Sequence, residues 1–240
     1  MDLREASTTQ RHPWELARFA AFIKIAAPHL RAGQRILDFG AGDTWFAHAL
    51  QQRFASFQLQ LDCVDPAGRS DDRNPQLRQF TAIPAQQRYD VVLLLDVLEH
   101  LSDDHATLAC IINNHTVPGA IVIVTVPAWP QLWSSHDVAL QHYRRYTAAT
   151  ATALLHRAKL TRLASGGWFY SLLLPRAATV IFEKFHPPKL AAPHSAVSGS
   201  GRLARATYAF LYADARLGTA LRHILPWPGL SWWSVCQTPK

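Results

Sequence analysis

Cysteine is scarce in this sequence, and its placement excludes more than its number does. Cys63, Cys110 and Cys236 lie far apart inside apolar segments. They have neither zinc-site spacing nor the pattern of a disulfide framework, so they read as reduced core residues. No run of about 18 uncharged apolar residues occurs, so no membrane-spanning helix is expected. The start, MDLREASTTQRHPWE, lacks an apolar signal core, which makes the cytoplasm the expected compartment. Charged residues are only 17% of the chain, low for a soluble surface, and basic exceed acidic residues by 24 to 17. The basic residues are scattered rather than gathered in one block, so nucleic acid is not an expected partner. The twelve histidines show no close ligand spacing of the H-E-x-x-H kind, and no metal is expected.

What is present suits a sizeable core. Hydrophobic residues make up 49% of 240 residues, enough for one large domain. Strand-like and helical runs alternate. A helix is expected from Pro13 to residue 30, then a strand at Arg35–Phe39, a helix at Trp45–Phe54 and a strand at Phe57–Val64. A short strand at Leu77–Ala82 and a buried strand at Val91–Leu95 follow. A helix over Asp103–Ile112 would be capped by Asp103 or Asp104. Pro118-Gly119 reads as a turn before a strand at Ala120–Val126, and Thr147 caps a helix through His156. Leu160–Tyr170 contains a sixth strand. This alternation, with strands apolar on both faces, predicts an α/β fold in which helices cover a parallel sheet. The tail breaks the pattern. Ser171–Phe185 and Arg202–Leu225 read as helices, and the Pro-, Ser- and Gly-rich stretch between them reads as a loop. Leu230–Cys236 reads as a final edge strand. The expected layout is a cap helix in 1–33, a core in 34–170, a helical insertion in 171–228 and the last strand in 229–240.

The chemistry is concentrated at strand ends. Arg35-Ile-Leu-Asp-Phe-Gly-Ala-Gly-Asp43 is a buried strand entering a glycine turn, with Asp38 near its end. Gly40 and Gly42 are expected to remove Cβ atoms from the path of a ligand lying on the turn. The third glycine of the dinucleotide fingerprint is replaced by Trp45, which argues against a tightly cradled pyrophosphate. Asp65, followed by Pro66, ends the next strand, where a carboxylate can accept from both ribose hydroxyls. Tyr89–Leu95 delivers Asp96, Val97, Glu99 and His100 at its C-terminal end, the ligand edge of an open α/β sheet.

Asp38-x-Gly40-x-Gly42, Asp65 and Asp96-Val-Leu-Glu-His100 together resemble the class I S-adenosylmethionine (SAM)-dependent methyltransferases, in their methyltransferase-11/12-like small-molecule branch. The resemblance covers about residues 14–165. It implies a Rossmann-like, doubly wound seven-stranded sheet of order 3-2-1-4-5-7-6 with the last strand antiparallel. It also implies SAM as cofactor. Asp38 and the Gly40–Gly42 backbone would hold the methionine part, and Asp65 the ribose. Asp96, with Val97 beside it, would lie at the sulfonium end. Where the family often has an acidic residue near the adenine, this chain has Thr81-Ala82-Ile83, leaving backbone and apolar contacts from Ala82 and Ile83.

The block Val126-Pro-Ala-Trp-Pro-Gln-Leu-Trp-Ser-Ser-His-Asp-Val-Ala-Leu-Gln-His-Tyr-Arg-Arg-Tyr-Thr147 is similar to a segment of a bacterial branch of that family. Following the fifth strand, it should overhang the ligand edge. His142, Tyr143, Arg144 and Arg145 are its candidate acceptor contacts, since an Arg pair can hold a carboxylate or phosphate. The alternative is that Arg144 or Arg145 pairs with Asp137 or Glu99 and fixes the loop. His100 and His136 are the candidate general bases, because histidine titrates near neutrality. The His12-Pro-Trp-Glu15 cluster either closes over the cofactor or simply starts a helix, and it also resembles the start of methyltransferases from aryl-polyene-type pigment clusters. The apolar tail could roof a pocket, form a homodimer face or make peripheral contact with an inner membrane. The expected acceptor is a hydrophobic, acidic or aromatic small molecule, or a carrier- or lipid-linked intermediate. A non-catalytic SAM-binding module and a NAD-dependent oxidoreductase are the competing readings. A D/N-P-P-Y/F motif, typical of enzymes that methylate amino groups of nucleic acids, is absent after Leu95.

Overall fold

The computed structural model describes residues 11–68, 74, 76–186, 201–225 and 227–240. The expected loop after His186 falls largely on 187–200, outside the described residues. The strands are β1 (Arg35–Phe39), β2 (Gln60–Val64), β3 (Leu77–Phe80), β4 (Tyr89–Leu95), β5 (Thr116–Pro127), β6 (Thr161–Trp168) and β7 (Ser231–Gln237). The helices are α1 (Pro13–Ala26), α2 (Trp45–Arg53), α3 (Asp104–His115), α4 (Ser135–Ala139), α5 (Ala148–Arg157), α6 (Leu173–Phe185) and α7 (Arg202–Ala220). They build one seven-stranded sheet in the order β3-β2-β1-β4-β5-β7-β6. The pairs β3–β2, β2–β1, β1–β4 and β4–β5 are parallel, and β7 runs antiparallel to both neighbours.

The alternation of side chains along the strands explains the two-sided core. Ile36, Val91, Leu93, Ile121 and Ile123 point to the face covered by α1, α2 and α7. Their neighbours Leu37, Val92, Leu94, Val122 and Val124 point to the face covered by α3 and α5. Burial of both faces is why these strands read as continuous apolar runs. A buried ion pair sits within the sheet. Asp62 on β2 accepts both guanidinium N–H bonds of Arg78 (2.8 and 2.7 Å) and the Tyr89 hydroxyl (2.8 Å). That satisfies a carboxylate which would otherwise be costly to bury.

Three sequence-based expectations change. Leu230–Cys236 is not an edge strand: β7 lies between β5 and β6, with Trp232, Trp233 and Val235 buried, and β6 takes the edge. Pro118-Gly119 does not precede β5 but lies inside it, at an irregularity in the β4–β5 register between Tyr89 and Val91, with Gly119 at φ 75°. The final helix stops at Ala220 rather than Leu225.

Helix starts follow their caps. The side chain of His12 accepts the Trp14 N–H (3.1 Å) while Glu15 reaches back to the His12 N–H (3.3 Å), with Pro13 at the first turn. His-Pro-Trp-Glu is therefore a helix start. Its Trp14 packs against Phe169 with ring centroids 5.9 Å apart. Asp103 caps α3 and Thr147 caps α5. α7 packs against α1 and β6. α6 leaves Leu174, Ile181, Phe182 and Phe185 exposed. Among the described residues, no helix is long and apolar enough to cross a membrane.

Candidate active site

The C-terminal ends of β1, β2 and β4 converge on the glycine turn. The turn is clamped to the end of β2, since Gly40 N–H and Ala41 N–H both donate to the Val64 carbonyl (2.7 and 3.2 Å). Gly40 (φ 78°) and Gly42 (φ 56°) adopt backbone conformations that suit glycine. A Cβ on Gly40 would lie 2.5 Å from Val97 Cγ2. The Val97 side chain beside the turn thus requires a glycine there. Gly42 N–H donates to Asp65 Oδ2 (3.0 Å), and Ala67 N–H donates to Asp65 Oδ1 (2.9 Å). Both Asp65 oxygens keep a further acceptor position. Pro66 and Ala82 are exposed, whereas Ile83 packs against the core on the α3 side. Trp45 opens α2 and meets Phe19 edge-on, at 5.5 Å, with the Arg11 guanidinium over its ring.

Asp38 is buried, and its Oδ2 has no hydrogen-bond partner. Burial pushes its pKa up to about 7, against the opposing pull of Arg18. An orphaned acceptor of this kind beside a backbone turn fits the ammonium of an amino-acid ligand. Such a partner would supply the missing hydrogen bond and favour the ionised form.

At the end of β4, Asp96 sits in the left-handed region (φ 56°), held by its N–H to the Thr125 carbonyl (3.0 Å). A non-glycine residue there is a sparsely populated state, of the kind that clusters at functional sites. Asp96 Oδ1 accepts from Thr125 Oγ1 (2.9 Å), and Oδ2 pairs with Arg18 at 3.0 Å. Arg18 thus brings the N-terminal helix to the ligand edge, a contact that sequence reasoning missed. Its only sequence signal is an arginine one turn after Trp14, over whose ring it lies at 5.3 Å.

Glu99 is buried with Oε2 unpartnered, and burial together with the Asp96 charge raises its pKa well above the usual carboxylate range. His100, at the surface, meets the His142 ring edge-on at 4.6 Å. Burial of its ring and the neighbouring His142 lower the His100 pKa, while the Asp96 charge opposes the shift.

The block from Val126 to Thr147 folds back on this edge, and Tyr143 N–H donates to the Glu99 carbonyl (2.7 Å). Its centre is Asp137, fully buried. Asp137 accepts from Arg145 (2.7 Å), Arg176 of α6 (2.6 Å) and the Ser134 N–H (3.0 Å), with His142 Nδ1 at 3.0 Å. Those partners outweigh burial and hold its carboxyl far below the usual range. Arg145 also donates to the Ala128 carbonyl (2.8 Å). Arg144 pairs with Asp104 (2.9 Å) and donates to the Ser102 carbonyl (2.7 Å), and Tyr146 also donates to Asp104. Arg144 and Arg145 both fix the loop, one on Asp104 and the other on Asp137. Tyr143 turns its side chain to solvent. His136 lies on α4 with its pKa lowered by burial and by Arg176. Arg176 escaped sequence reasoning because it sits in an apolar run of the tail.

A parallel sheet with one reversed strand, and a glycine turn, an orphaned aspartate and a second acidic strand end at one edge, define an α/β protein built to bind a nucleoside-containing cofactor. Residues 10–165 match the sequence profile of a family described as a methyltransferase domain, and the chain belongs to that family. Its cofactor is therefore SAM. No curated protein matches the sequence. Among solved structures, the chain is similar to a SAM-dependent methyltransferase from Archaeoglobus fulgidus (14% identity, TM-score 0.52, 93% of this chain and 94% of that one). It is likewise similar to phosphoethanolamine N-methyltransferase 2 of Haemonchus contortus in complex with SAM (16% identity, TM-score 0.54, 93% of this chain), where it spans 52% of that chain. A third similar structure is the [4+2]-cyclase SpnF (15% identity, TM-score 0.52, 92% and 80% coverage). At these identities the likeness is one of fold.

Proposed function

We propose that this protein transfers a methyl group from SAM to a hydrophobic small molecule, or to a carrier- or lipid-linked intermediate. When bound, SAM supplies a methyl group on a sulfonium that departs as a neutral thioether. Asp38 and the Gly40–Gly42 backbone hold the methionine part, and Asp65 with Pro66 the ribose. Ala82 and Ile83 lie beside the adenine, and Asp96 faces the sulfonium end while Val97 supports the turn. The observation that carries this reading is the buried Asp38 carboxylate, with one oxygen unpartnered beside that turn.

His100 is the better of the two candidate bases. Burial and the neighbouring His142 lower its pKa, which favours the neutral ring, and the unprotonated nitrogen of that ring can take an acceptor's proton. His136 stands beside Arg176, whose charge likewise favours the neutral ring, and remains the second candidate. The exposed apolar residues Leu174, Ile181, Phe182 and Phe185 of α6 support an aromatic or otherwise apolar acceptor. His142, Tyr143, Arg144 and Arg145 of the overhanging block are the contacts for an acidic acceptor, with the Tyr143 side chain exposed and Arg144 partly so. An origin in bacterial secondary metabolism or envelope synthesis, aryl-polyene pigments among them, rests on the sequence resemblance alone.

Calorimetry with SAM, S-adenosylhomocysteine and NAD tests the cofactor part. Binding of the first two but not NAD is expected; NAD binding without SAM binding would refute it. SpnF, a cyclase on this fold, makes turnover a separate question. Transfer of labelled methyl to an apolar extract answers it, and SAM binding with no transfer to any acceptor would favour a non-catalytic module.

A further inference from the structure

We propose that Glu99, His100 and His142 form a binding site for one divalent transition-metal ion of the zinc type. One ligand atom from each lies within 4.8 Å of the other two. The twelve histidines carry no metal spacing in the sequence, and the fold creates the cluster instead. Glu99 and His100 leave the end of β4, and the Val126–Thr147 block brings His142 back to them, held by the Tyr143 N–H on the Glu99 carbonyl.

Three features indicate a prepared site rather than a chance approach. First, Glu99 is 1% exposed and its Oε2 has no partner, an expensive state for a carboxyl oxygen unless a ligand meets it. Second, the far side of the His142 imidazole is already bound. Asp137 Oδ1 is 3.0 Å from His142 Nδ1, which must carry the proton since an ionised carboxylate only accepts, and this leaves the His142 Nε2 lone pair free. Metal-binding histidines are fixed by such outer carboxylates and carbonyls, which set the tautomer and aim the other nitrogen. Third, Asp137 is itself locked by Arg145 and Arg176, so the outer shell is rigid.

The donor set selects the ion. Two imidazole nitrogens and one carboxylate oxygen suit zinc, iron(II), cobalt(II) or nickel(II) better than magnesium or calcium, which prefer oxygen alone. Three protein ligands leave a position open, and the solvent-exposed His100 provides an entry path. Around a tetrahedral zinc, ligand atoms lie roughly 3.3 Å apart, so the three side chains would close by at most about 1.5 Å. A bound ion would occupy the His100 lone pair assigned above to proton removal, so variants at His100 report on both roles. Variants at Glu99 and His142 separate them.

The test is titration of the chelator-stripped full-length protein with cobalt(II), read by visible absorbance, and with zinc(II), read by calorimetry. One ion per chain is expected. Glu99→Gln and His142→Gln should each weaken binding by at least about tenfold. His156→Gln, an exposed histidine on α5, should leave binding unchanged. Circular dichroism checks that each variant folds, and Glu99→Gln keeps side-chain size at the buried position. Absence of binding to the wild type at about millimolar metal, or binding that survives both Glu99→Gln and His142→Gln in folded proteins, would overturn the proposal.

Discussion

Asp137 and Asp38 are both buried aspartates, and they are opposites. Asp137, in the overhanging loop, has two arginines, a histidine and a backbone N–H around it, and its pKa is driven down. Asp38, on β1 at the ligand edge, has an oxygen with no partner, and its pKa is driven up to about 7. Glu99 shares the condition of Asp38. A saturated carboxylate holds the fold together, because removing it strands the charges around it. An orphaned one costs stability and persists where a ligand completes it. The loop around Asp137 is thus a brace, and the strand ends are the receptive surface.

The comparison makes predictions that can break it. Asp137→Ala, which leaves Arg145, Arg176 and His142 without their common partner, should destabilise the fold by about 3–5 kcal/mol, measured by urea denaturation. A loss below about 1 kcal/mol would remove the brace. Gly40→Ala should cost on the order of 1–3 kcal/mol, from the positive φ and the contact with Val97. Adding Val97→Ala should relieve the contact but not the backbone strain. Arg144→Ala, at the more exposed pair with Asp104, should cost less than about 1 kcal/mol.

The pH dependence should differ in sign between the two aspartates. Asp38 has a folded pKa of about 7, above the ordinary carboxylate range, so it favours the folded state at low pH. That contribution shrinks as pH rises from about 4 to about 7 and is then gone. Asp137, with a depressed folded pKa, contributes stability above its unfolded pKa that is lost as pH falls below about 4. Denaturation curves across pH for Asp38→Asn and the wild type should diverge in the first window. Parallel curves would contradict the assignment.

Most of the sheet was legible in the sequence because strands buried on both faces are apolar without interruption, as in Val91–Leu94. The ends of β1, β2 and β4 were legible because aspartate and glycine stand out where apolar runs stop. The interior place of β7 was hidden from the local pattern, since a short strand reads alike at an edge and in the middle; only the resemblance implied it. Pro118-Gly119 misled because a bulge near the start of β5 accommodates a pair that ordinarily marks a turn. The site's cross-chain contacts were not legible at all. Arg18 with Asp96, Arg176 with Asp137, and Glu99 with His142 join residues far apart in the chain, and nothing local to either partner signals the other.

The central claim is that an orphaned carboxylate on this sheet edge is a ligand site. Calorimetric SAM binding to the wild type and to Asp38→Asn, from about pH 6 to about pH 8, tests it most directly. Wild-type affinity should rise with pH as Asp38 ionises. The variant should bind about tenfold to a hundredfold more weakly at the upper end, with no such rise. A folded Asp38→Asn protein that binds SAM as tightly as the wild type, with the same pH dependence, would contradict it.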